Sequence, residues 1–381
     1  MPEHRESIEA IQRLLGARQL VVVSNREPYV HKQERQGISV SRPAGGLVAA
    51  LDPVMQAVSG TWIAWGSGDA DFAVADAQGR LRVPPDDPRY ALKRLPLSPD
   101  EIDGYYYGYA NQALWPLFHF ITERTRFRRR FWAAYKAVNA RFAHAVLDEL
   151  AREAVVWIHD YHLMLTPRLL RRLRPDLFLM HFWHIPWPKY DVWQICPQRM
   201  ELLDGLLAND LIGFQRPRHV QAFLECVQRE LPAEVDAERS TITYDGHVTY
   251  VRAFPISVDF AALDRTARSR DAVRWMARFA RRFNLEGRFV AVGVDRLDYT
   301  KGIPERLRAF EALLKRAPWF RERLVYIQKS APSRTRILTY RTLQRKVERE
   351  IVRLNSAYGI SGWRPIVYLP QSLPLEGIAA L

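Results

Sequence analysis

Short apolar segments alternate with helical segments along most of this chain of 381 residues. Leu20–Ser24 (LVVVS) is apolar at consecutive positions, which predicts a strand that is buried on both faces. Strands of the same kind are predicted at Val155–Ile158, Leu177–Trp183 and Phe289–Val294, with helices between them. A hairpin is predicted where Asp245-Gly246 separates two β-branched runs. Repeated alternation of strands and helices predicts an α/β fold with parallel sheets covered by helices.

Two domains are expected from the length, since a domain typically has about 100–200 residues. The helical, arginine-rich stretch at residues 259–286 interrupts the alternation. We interpret it as a connection between an N-terminal Rossmann-like domain, residues 1–258, and a C-terminal one, residues 287–381. Three strands are predicted after the connection, whereas open α/β sheets commonly have about five or six. The second domain is therefore expected to be incomplete.

The charge of the chain is strongly basic, with 56 Lys and Arg against 42 Asp and Glu, or 56 − 42 = +14. Such a balance raises the hypothesis of nucleic-acid binding. However, the densest basic cluster, at residues 124–130, opens a helix with an apolar face, which favours a solvated helix surface. A basic protein also suits anionic small substrates such as sugar phosphates. We therefore expect no nucleic-acid partner.

Neither a membrane span nor a secretory signal is predicted. No apolar run approaches the roughly 20 residues that span a bilayer, and the N-terminus lacks the apolar region of a signal peptide. Two cysteines, Cys196 and Cys226, cannot form a disulfide framework. These features predict a cytoplasmic protein without a membrane partner. Self-association into a homo-oligomer stays open.

Polar side chains follow several predicted strands, and ligands of open α/β sheets bind beyond the carboxyl ends of the strands. Arg26 follows the first strand and can grip a phosphate with two hydrogen bonds. Gly45-Gly46 opens the next helix, where backbone amides attract an anion. Asp160 follows the strand at 155–158 and can accept hydrogen bonds from sugar hydroxyls or cap the following helix. His184 lies in a loop that two prolines make rigid.

Cations also follow the strands of the second domain. Arg296 and Lys301 are five residues apart in a strand-to-helix loop and can neutralise a leaving diphosphate without a metal ion. The alternative is that they form ion pairs with Asp295 and Asp298. Arg334 follows the next strand. Together these positions predict a cleft for two phosphorylated ligands.

Aromatic residues cluster between residues 105 and 115. Tyr106 and Trp115 belong to this cluster, and such side chains either stack on sugar rings or pack in the core. Four histidines near strand ends raise the alternative of a metal site: His159, His162, His181 and His184. Their spacing matches no closed zinc site. We therefore expect no metal ion and no cofactor.

Nine motifs occur in one order along the chain: VVVSNR, AGGL, the W-x-x-W of Trp62 and Trp65, NQALWP, WIHDYHL, HIPWP, LIGFQ, VDRLDYTKGIPERL and APSR. With these motifs the chain, from about Leu20 to Gln371, resembles glycosyltransferase family 20. This family contains the trehalose-6-phosphate synthases, retaining enzymes of the GT-B fold with two Rossmann-like domains facing a central cleft. The resemblance implies transfer of glucose from a nucleotide sugar, UDP-glucose, to glucose 6-phosphate. The products would be α,α-trehalose 6-phosphate and UDP, within trehalose biosynthesis.

The resemblance also implies roles for individual residues. The acceptor glucose 6-phosphate would contact Arg26, Tyr106, Trp115, Asp160 and Arg334. The nucleotide-sugar donor would contact Gly45, Gly46, Trp65, His184, Arg296, Lys301 and Leu373. The catalytic set would be Asp160, His184, Arg296 and Lys301. No protein nucleophile is implied, so that catalysis would rest on positioning and on charge stabilisation at the leaving group.

The chain departs from the family pattern in two ways. Members of the family continue past this chain's end with an acidic segment of the type D-G-M-N-L-V-x-x-E, and Glu27 stands where the family often has an apolar residue. Glu27 is predicted to tune the choice of acceptor or donor.

Several alternative functions stay open. A glucosylglycerol-phosphate synthase or an aminocyclitol-coupling relative would use the same cleft, and a non-catalytic binding or regulatory subunit would bind acceptor without turnover. A metal-dependent GT-A transferase would use Asp69-Ala70-Asp71. A dinucleotide oxidoreductase is disfavoured, because no G-x-G-x-x-G follows the first strand.

Overall fold

A computed structural model describes residues 2–43 and 45–381, and the side chains from residue 6 onward. Ala44, the first residue of the AGGL motif, lies outside the described residues. The chain divides between Ile256 and Ser257 into two compact units. Both units alternate strands with helices and contain parallel sheets, so the predicted α/β class is confirmed.

The first unit is built on one large sheet. The strands of this unit are β1 (Gln19–Arg26), β2 (Val30–Glu34), β3 (Gly37–Ser41), β4 (Thr61–Trp65), β5 (Arg80–Val83), β6 (Tyr90–Leu95), β7 (Ala154–His159), β8 (Phe178–Trp183), β9 (Leu211–Phe214), β10 (Glu234–Asp236), β11 (Thr241–Tyr244) and β12 (His247–Ala253). Strands β2 and β3 form a separate hairpin, and the other ten form the large sheet. The order within the sheet is β10-β11-β12-β9-β8-β7-β1-β4-β6-β5. Pairing is parallel from β12 to β6 and antiparallel at both edges.

Strand β1 lies at the centre of this sheet because its residues are apolar on both faces. Val21, Val22 and Val23 are fully buried, and β1 pairs in parallel with β4 on one side and β7 on the other. A parallel sheet of this kind is covered by helices on its faces. The carboxyl ends of these three neighbouring strands therefore meet at one edge, which carries Arg26, Trp65 and His159.

Helices of the first unit connect the parallel strands. They are α1 (Pro2–Leu15), α2 (Gly46–Val58), α3 (Pro99–Glu101), α4 (Trp115–Phe118), α5 (Arg129–Leu147), α6 (Thr166–Leu173), α7 (Tyr190–Trp193), α8 (Arg199–Leu206) and α9 (Pro217–Glu230). Short 3₁₀ turns add Thr122–Arg124 and Tyr161–Leu163. The predicted hairpin at Asp245-Gly246 is confirmed as β11–β12.

A π-helix at Ile102–Leu114 joins α3 to α4 and was absent from the sequence prediction. Two side chains within it bond to backbone carbonyls five residues earlier: Asn111 Nδ2 donates to Tyr106 O at 2.7 Å, and Gln112 Nε2 donates to Tyr107 O at 2.9 Å. π-helical turns are rare and are often found at functional sites. The helix brings the predicted aromatic cluster to the sheet.

The second unit contains a three-stranded parallel sheet in the order β13-β14-β15. The strands of the sheet are β13 (Phe289–Arg296), β14 (Leu324–Ala331) and β15 (Ile366–Leu369). The helices of the unit are α10 (Phe260–Ala267), α11 (Arg270–Phe283), α12 (Ile303–Arg316), α13 (Leu338–Tyr358) and α14 (Leu375–Ala379). Short 3₁₀ turns are formed by Tyr299–Lys301 and Pro318–Phe320. Helices α10 and α11, in the stretch interpreted as a connection, cluster with this unit. Within the described part of the chain, no helix is long and apolar enough to cross a membrane.

Candidate functional site

Arg26 and Tyr106 meet at the carboxyl edge of the large sheet. Arg26 ends β1 with an exposed side chain, and its Nη2 donates a hydrogen bond to the Tyr106 hydroxyl at 3.0 Å. The ring of Trp65, which ends β4, lies 5.6 Å from the ring of Tyr106 between centroids. Arg26 and Trp65 are also partners in the strand register. The structure thus brings together three residues that the sequence predicted for sugar and phosphate binding.

An aromatic wall continues from Tyr106 towards Trp115. The Tyr106 ring stacks on His162 with centroids 6.0 Å apart, and the Trp115 ring lies 5.8 Å from Tyr161. The Tyr161 hydroxyl donates to Asn111 Oδ1 at 3.1 Å. Tyr161 received no role in the sequence prediction, and His162 was considered only as a metal ligand. Their position directly after Asp160, in a 3₁₀ turn, is the signal that identifies them.

Asp160 has an unusual backbone at the end of β7. Its φ is 68° and its ψ is 177°, a region that non-glycine residues rarely adopt and that costs about 1–3 kcal/mol. Its amide donates to Phe182 O at 2.8 Å, and its Oδ1 accepts from the amide of His184 at 3.3 Å. The alternative that its side chain caps the following helix is wrong, because no such cap bond forms. The carboxylate instead lies beside the His184 loop.

Two buried histidines support this edge. His181 Nε2 lies 3.0 Å from the carbonyl oxygen of Asp160, and His159 Nδ1 lies 3.1 Å from His184 Nε2. Burial lowers the pKa of His181 to about 3 and that of His184 to about 4, and it lowers the pKa of His159 as well. All three rings are therefore neutral near pH 7. Among the described residues, no three His, Cys, Asp or Glu side chains are arranged as metal ligands.

Gly45 and Gly46 lie at the start of α2, on the same unit. Both are exposed, and a Cβ added to either would meet no atom within 4 Å, so the space before them is open. Leu47 follows them and lines a cavity of about 470 Å³ that is also lined by His159 and His184. The predicted donor residue His184 thus lines this cavity, and Gly46 directly precedes Leu47, which also lines it.

Arg296 ends β13 in the second unit and Lys301 lies in the turn that follows, and both are exposed. The carboxylates that were the alternative partners bind other arginines: Asp295 Oδ2 accepts from Arg306 Nη1 at 2.7 Å, and Asp298 Oδ2 accepts from Arg334 Nη1 at 2.9 Å. The ligand roles of Arg296 and Lys301 stay predictions.

A left-handed glycine fixes the end of the loop that carries Lys301. Gly302 has φ 63° at the junction with α12, a conformation that a Cβ disfavours. The last residue of the 3₁₀ turn before it, Lys301, is consequently held at the start of the helix.

Arg334 is less open than the sequence prediction implied. Its side chain is 3% exposed and its φ is 50°. Besides Asp298, its Nη1 contacts the Tyr340 hydroxyl at 2.6 Å. Leu373 is half-buried and packs against the hydrophobic core of the same unit. The donor and acceptor roles of these two residues stay predictions.

The buried carboxylates near β1 were missed as a group. Glu27 is 1% exposed and accepts from Arg94 Nε at 2.7 Å, so its side chain does not face a ligand. Asp71 is fully buried against the same arginine, and Asp69 Oδ1 accepts from the amide of Gln33 at 2.9 Å. The carboxylates of the D-x-D motif therefore hold loops. This observation disfavours the GT-A alternative.

Comparison with known proteins gives one consistent result. The family model described as glycosyltransferase family 20 matches residues 18–381. The trehalose-6-phosphate synthase of Mycobacterium avium (strain 104) is 38% identical over 374 residues, which are 96% of this chain and 75% of that protein.

Two solved structures have a similar fold. A UDP-forming α,α-trehalose-phosphate synthase from Burkholderia xenovorans in complex with glucose-6-phosphate is 29% identical with a TM-score of 0.81, over 95% of this chain and 76% of that one. A trehalose-6-phosphate protein from E. coli bound with UDP-2-fluoro glucose is 29% identical with a TM-score of 0.80, over 94% and 75%. These similarities confirm the predicted GT-B type of fold.

Proposed function

The chain belongs to glycosyltransferase family 20, and from this premise we propose that it transfers glucose from UDP-glucose to glucose 6-phosphate with retention at the anomeric carbon. The products are α,α-trehalose 6-phosphate and UDP. The relatives support this reaction, since one is UDP-forming and was solved with glucose-6-phosphate, and another was solved with a UDP-glucose analogue.

One observation carries the acceptor side of the proposal. The exposed guanidinium of Arg26 and the Tyr106 hydroxyl lie 3.0 Å apart at the sheet edge. Both groups donate hydrogen bonds, and a guanidinium binds phosphate with two parallel bonds. Asp160 and Trp115 supply a carboxylate for sugar hydroxyls and an aromatic face for the ring. This combination suits a sugar that carries a phosphate.

The donor side is proposed to divide between two groups of residues. Gly45, Gly46 and His184 of the first unit contact the diphosphate and the transferred glucose, and His184 acts as a neutral hydrogen-bonding group because burial lowers its pKa to about 4. Arg296 and Lys301 of the second unit offset the negative charge that grows on the departing UDP. Stabilising charge where it develops accelerates the reaction without a protein nucleophile.

The reaction is tested by incubating the purified chain with UDP-, GDP- or ADP-glucose and glucose 6-phosphate. Mass spectrometry identifies a disaccharide phosphate, and the anomeric coupling constants in NMR spectra establish an α,α linkage. Glycerol 3-phosphate and unphosphorylated glucose serve as matched acceptors. Transfer only to glycerol 3-phosphate would favour a glucosylglycerol-phosphate synthase, and binding of glucose 6-phosphate without any transfer would favour a non-catalytic subunit.

A further inference from the structure

Three ionisable side chains form a buried network next to Arg26 and Trp65. Glu27 is 1% exposed, and Asp71 and Arg94 are fully buried. Arg94 Nε donates to Glu27 Oε2 at 2.7 Å, and Arg94 Nη2 lies 3.2 Å from Asp71 Oδ1. A buried ion pair contributes little net stability, because desolvation offsets the attraction, and its value can lie in fixing one conformation.

Each member of the network also binds backbone. Arg94 donates to Asp71 O at 2.7 Å and to Tyr29 O at 2.8 Å. Asp71 accepts from the amides of His31 at 2.7 Å and Gly68 at 2.6 Å. A Cβ on Gly68 would lie 2.2 Å from His31 O, so the two loops are in close contact. The loop after β1 and the loop after β4 are consequently joined.

The joined loops begin at the residues predicted to bind ligands. Arg26 is followed directly by Glu27, and Trp65 lies two residues before Ser67. The Glu27 carboxylate accepts from Ser67 N at 2.8 Å and from Ser67 Oγ at 3.0 Å. Arg26 and Trp65 are also partners in the strand register. The two bonds to Ser67 therefore fix the backbone that follows Arg26 and the backbone that follows Trp65 relative to each other.

The network holds two carboxylates for one guanidinium. His31 Nδ1 accepts from Arg94 Nη2 at 2.7 Å, so its ring is neutral. Burial raises the pKa of Glu27 to about 8, with the hydrogen bond to Asp71 adding to the effect and Arg94 opposing it. Near pH 7 Glu27 therefore carries a proton, and the network is electrically balanced. Above pH 8 a second negative charge appears beside Asp71.

We propose that Glu27, Asp71 and Arg94 are positioning residues that hold Arg26 in place for the acceptor phosphate, and this rests on the proposed function. Glu27, which the sequence predicted to tune the choice of acceptor or donor, then acts indirectly, through Arg26 and not through contact with a ligand. Loss of the network should weaken acceptor binding through Arg26. Donor binding through Gly45, Gly46 and His184, which lie outside the network, should be unaffected.

The test compares Glu27→Leu with Glu27→Gln. Leucine removes the bonds to Ser67 and Arg94 but leaves the neutral Arg94–Asp71 pair, so the variant is expected to fold, which thermal unfolding checks. We expect Glu27→Leu to raise the KM for glucose 6-phosphate about tenfold. The KM for UDP-glucose should rise less, because Trp65 is only one of the proposed donor contacts. Glutamine resembles protonated Glu27 and should restore the KM at pH 7.

The pH profile provides a readout that a purely structural role would not move. The acceptor KM of the wild type should rise above pH 8, whereas that of Glu27→Gln should stay level. Glu149→Leu is the matched control, since Glu149 pairs with Arg80 at 2.7 Å on the same sheet but outside the network. An unchanged acceptor KM in Glu27→Leu, or the same pH profile in wild type and Glu27→Gln, would overturn the proposal.

A crystal structure of Glu27→Leu separates this proposal from the proposed function. The distance from Arg26 Nη2 to the Tyr106 hydroxyl, 3.0 Å here, should lengthen or become variable, whatever reaction the protein catalyses. If the wild type transfers no glucose, the proposed function fails and this distance alone decides the positioning role. An unchanged Arg26–Tyr106 contact would then refute it.

Discussion

His181 donates a hydrogen bond from its Nε2 to the backbone carbonyl oxygen of Asp160 at 3.0 Å. Because a carbonyl oxygen only accepts, this bond fixes the tautomer: the proton is on Nε2 and Nδ1 is bare. Burial lowers the pKa of His181 to about 3, so the ring stays neutral over the whole physiological range. The bond holds the backbone of Asp160 at a φ of 68°, a value that normally favours glycine.

Replacing His181 should therefore disturb Asp160 before anything else. His181→Leu removes the donor, and we expect kcat/KM for glucose 6-phosphate to fall by at least about tenfold, since a lost buried bond costs about 1–3 kcal/mol. His181→Gln places an N–H near the same point and should recover most of the activity. Steady-state kinetics at pH 7 checks both variants. Equal losses in the two variants would show that the hydrogen bond is not what matters.

Arg26→Ala should chiefly weaken acceptor binding. A charge-assisted bond to phosphate is worth about 1.5–3 kcal/mol, so the KM for glucose 6-phosphate should rise about 10- to 100-fold while the KM for UDP-glucose changes little. Tyr106→Phe should have a smaller effect, and the double variant should show non-additivity because the two groups are bonded to each other. An unchanged acceptor KM in Arg26→Ala would remove this residue from the site.

The free energy of unfolding should depend on pH through Glu27. Its pKa is about 8 in the folded state and 4.5 ordinarily, so between these values the folded state holds a proton that the unfolded state releases. The wild type should therefore lose stability as the pH rises from about 5 to 8. Burial alone would raise the pKa of Asp71, but hydrogen bonds from Glu27, His31 and Gly68 hold it below its usual value. Asp71 therefore makes the free energy of unfolding increase with pH, but only in a more acidic range than the one in which Glu27 acts.

Glu27→Gln removes this proton exchange. We expect the difference in the free energy of unfolding between Glu27→Gln and the wild type to change by about 4 kcal/mol from pH 5 to pH 9, in favour of the variant. Denaturant unfolding at the two pH values measures it. Glu149→Gln serves as the control. Parallel stability curves for wild type and Glu27→Gln would contradict the raised pKa.

Much of the fold was predictable because it depends on local patterns. Consecutive apolar residues at Leu20–Ser24 identified the central strand, and Asp245-Gly246 identified the hairpin. The π-helix at Ile102–Leu114 escaped prediction, because its backbone bonds span five residues, as from Trp115 N–H to Ala110 O, and do not follow the usual helical period. The strands β5 and β6 were missed too, since both are short and rich in charge.

The residues of the candidate site were predictable, because they lie at the ends of strands. The buried side chains that hold these residues in place were not predictable. Arg26 and Asp160 follow apolar strands, so position alone indicated them. The partner of Glu27 is Arg94, 67 residues away, and no local pattern pairs them. Similarly, the sequence shows that His181 is in a strand but not that its ring reaches the carbonyl of Asp160. Long-range polar contacts of this kind depend on the packed structure.

Arg334→Ala should destabilise the second unit as well as any ligand site. Arg334 is the buried partner of Asp298, whose side chain is fully buried, and removing one member of such a pair costs about 3–5 kcal/mol. Denaturant unfolding should show this loss without ligand. Arg308→Ala, which removes an exposed pair with Glu305, should change little. An Arg334→Ala variant as stable as the wild type would show that the Asp298 pair is not formed.

Arg296→Ala should slow the chemical step more than it weakens acceptor binding. The negative charge on UDP grows as the bond to glucose breaks, so a fixed cation there stabilises the transition state more than the ground state. Removing one such group typically lowers kcat about a hundredfold or more. Arg296→Lys keeps the charge but loses the planar fork and should recover only part of the rate.

Lys301→Ala should also lower kcat. Single-turnover kinetics with saturating glucose 6-phosphate would separate the chemical step from release of UDP. A variant that lacks Arg296 and keeps its kcat would show that the leaving group is stabilised elsewhere.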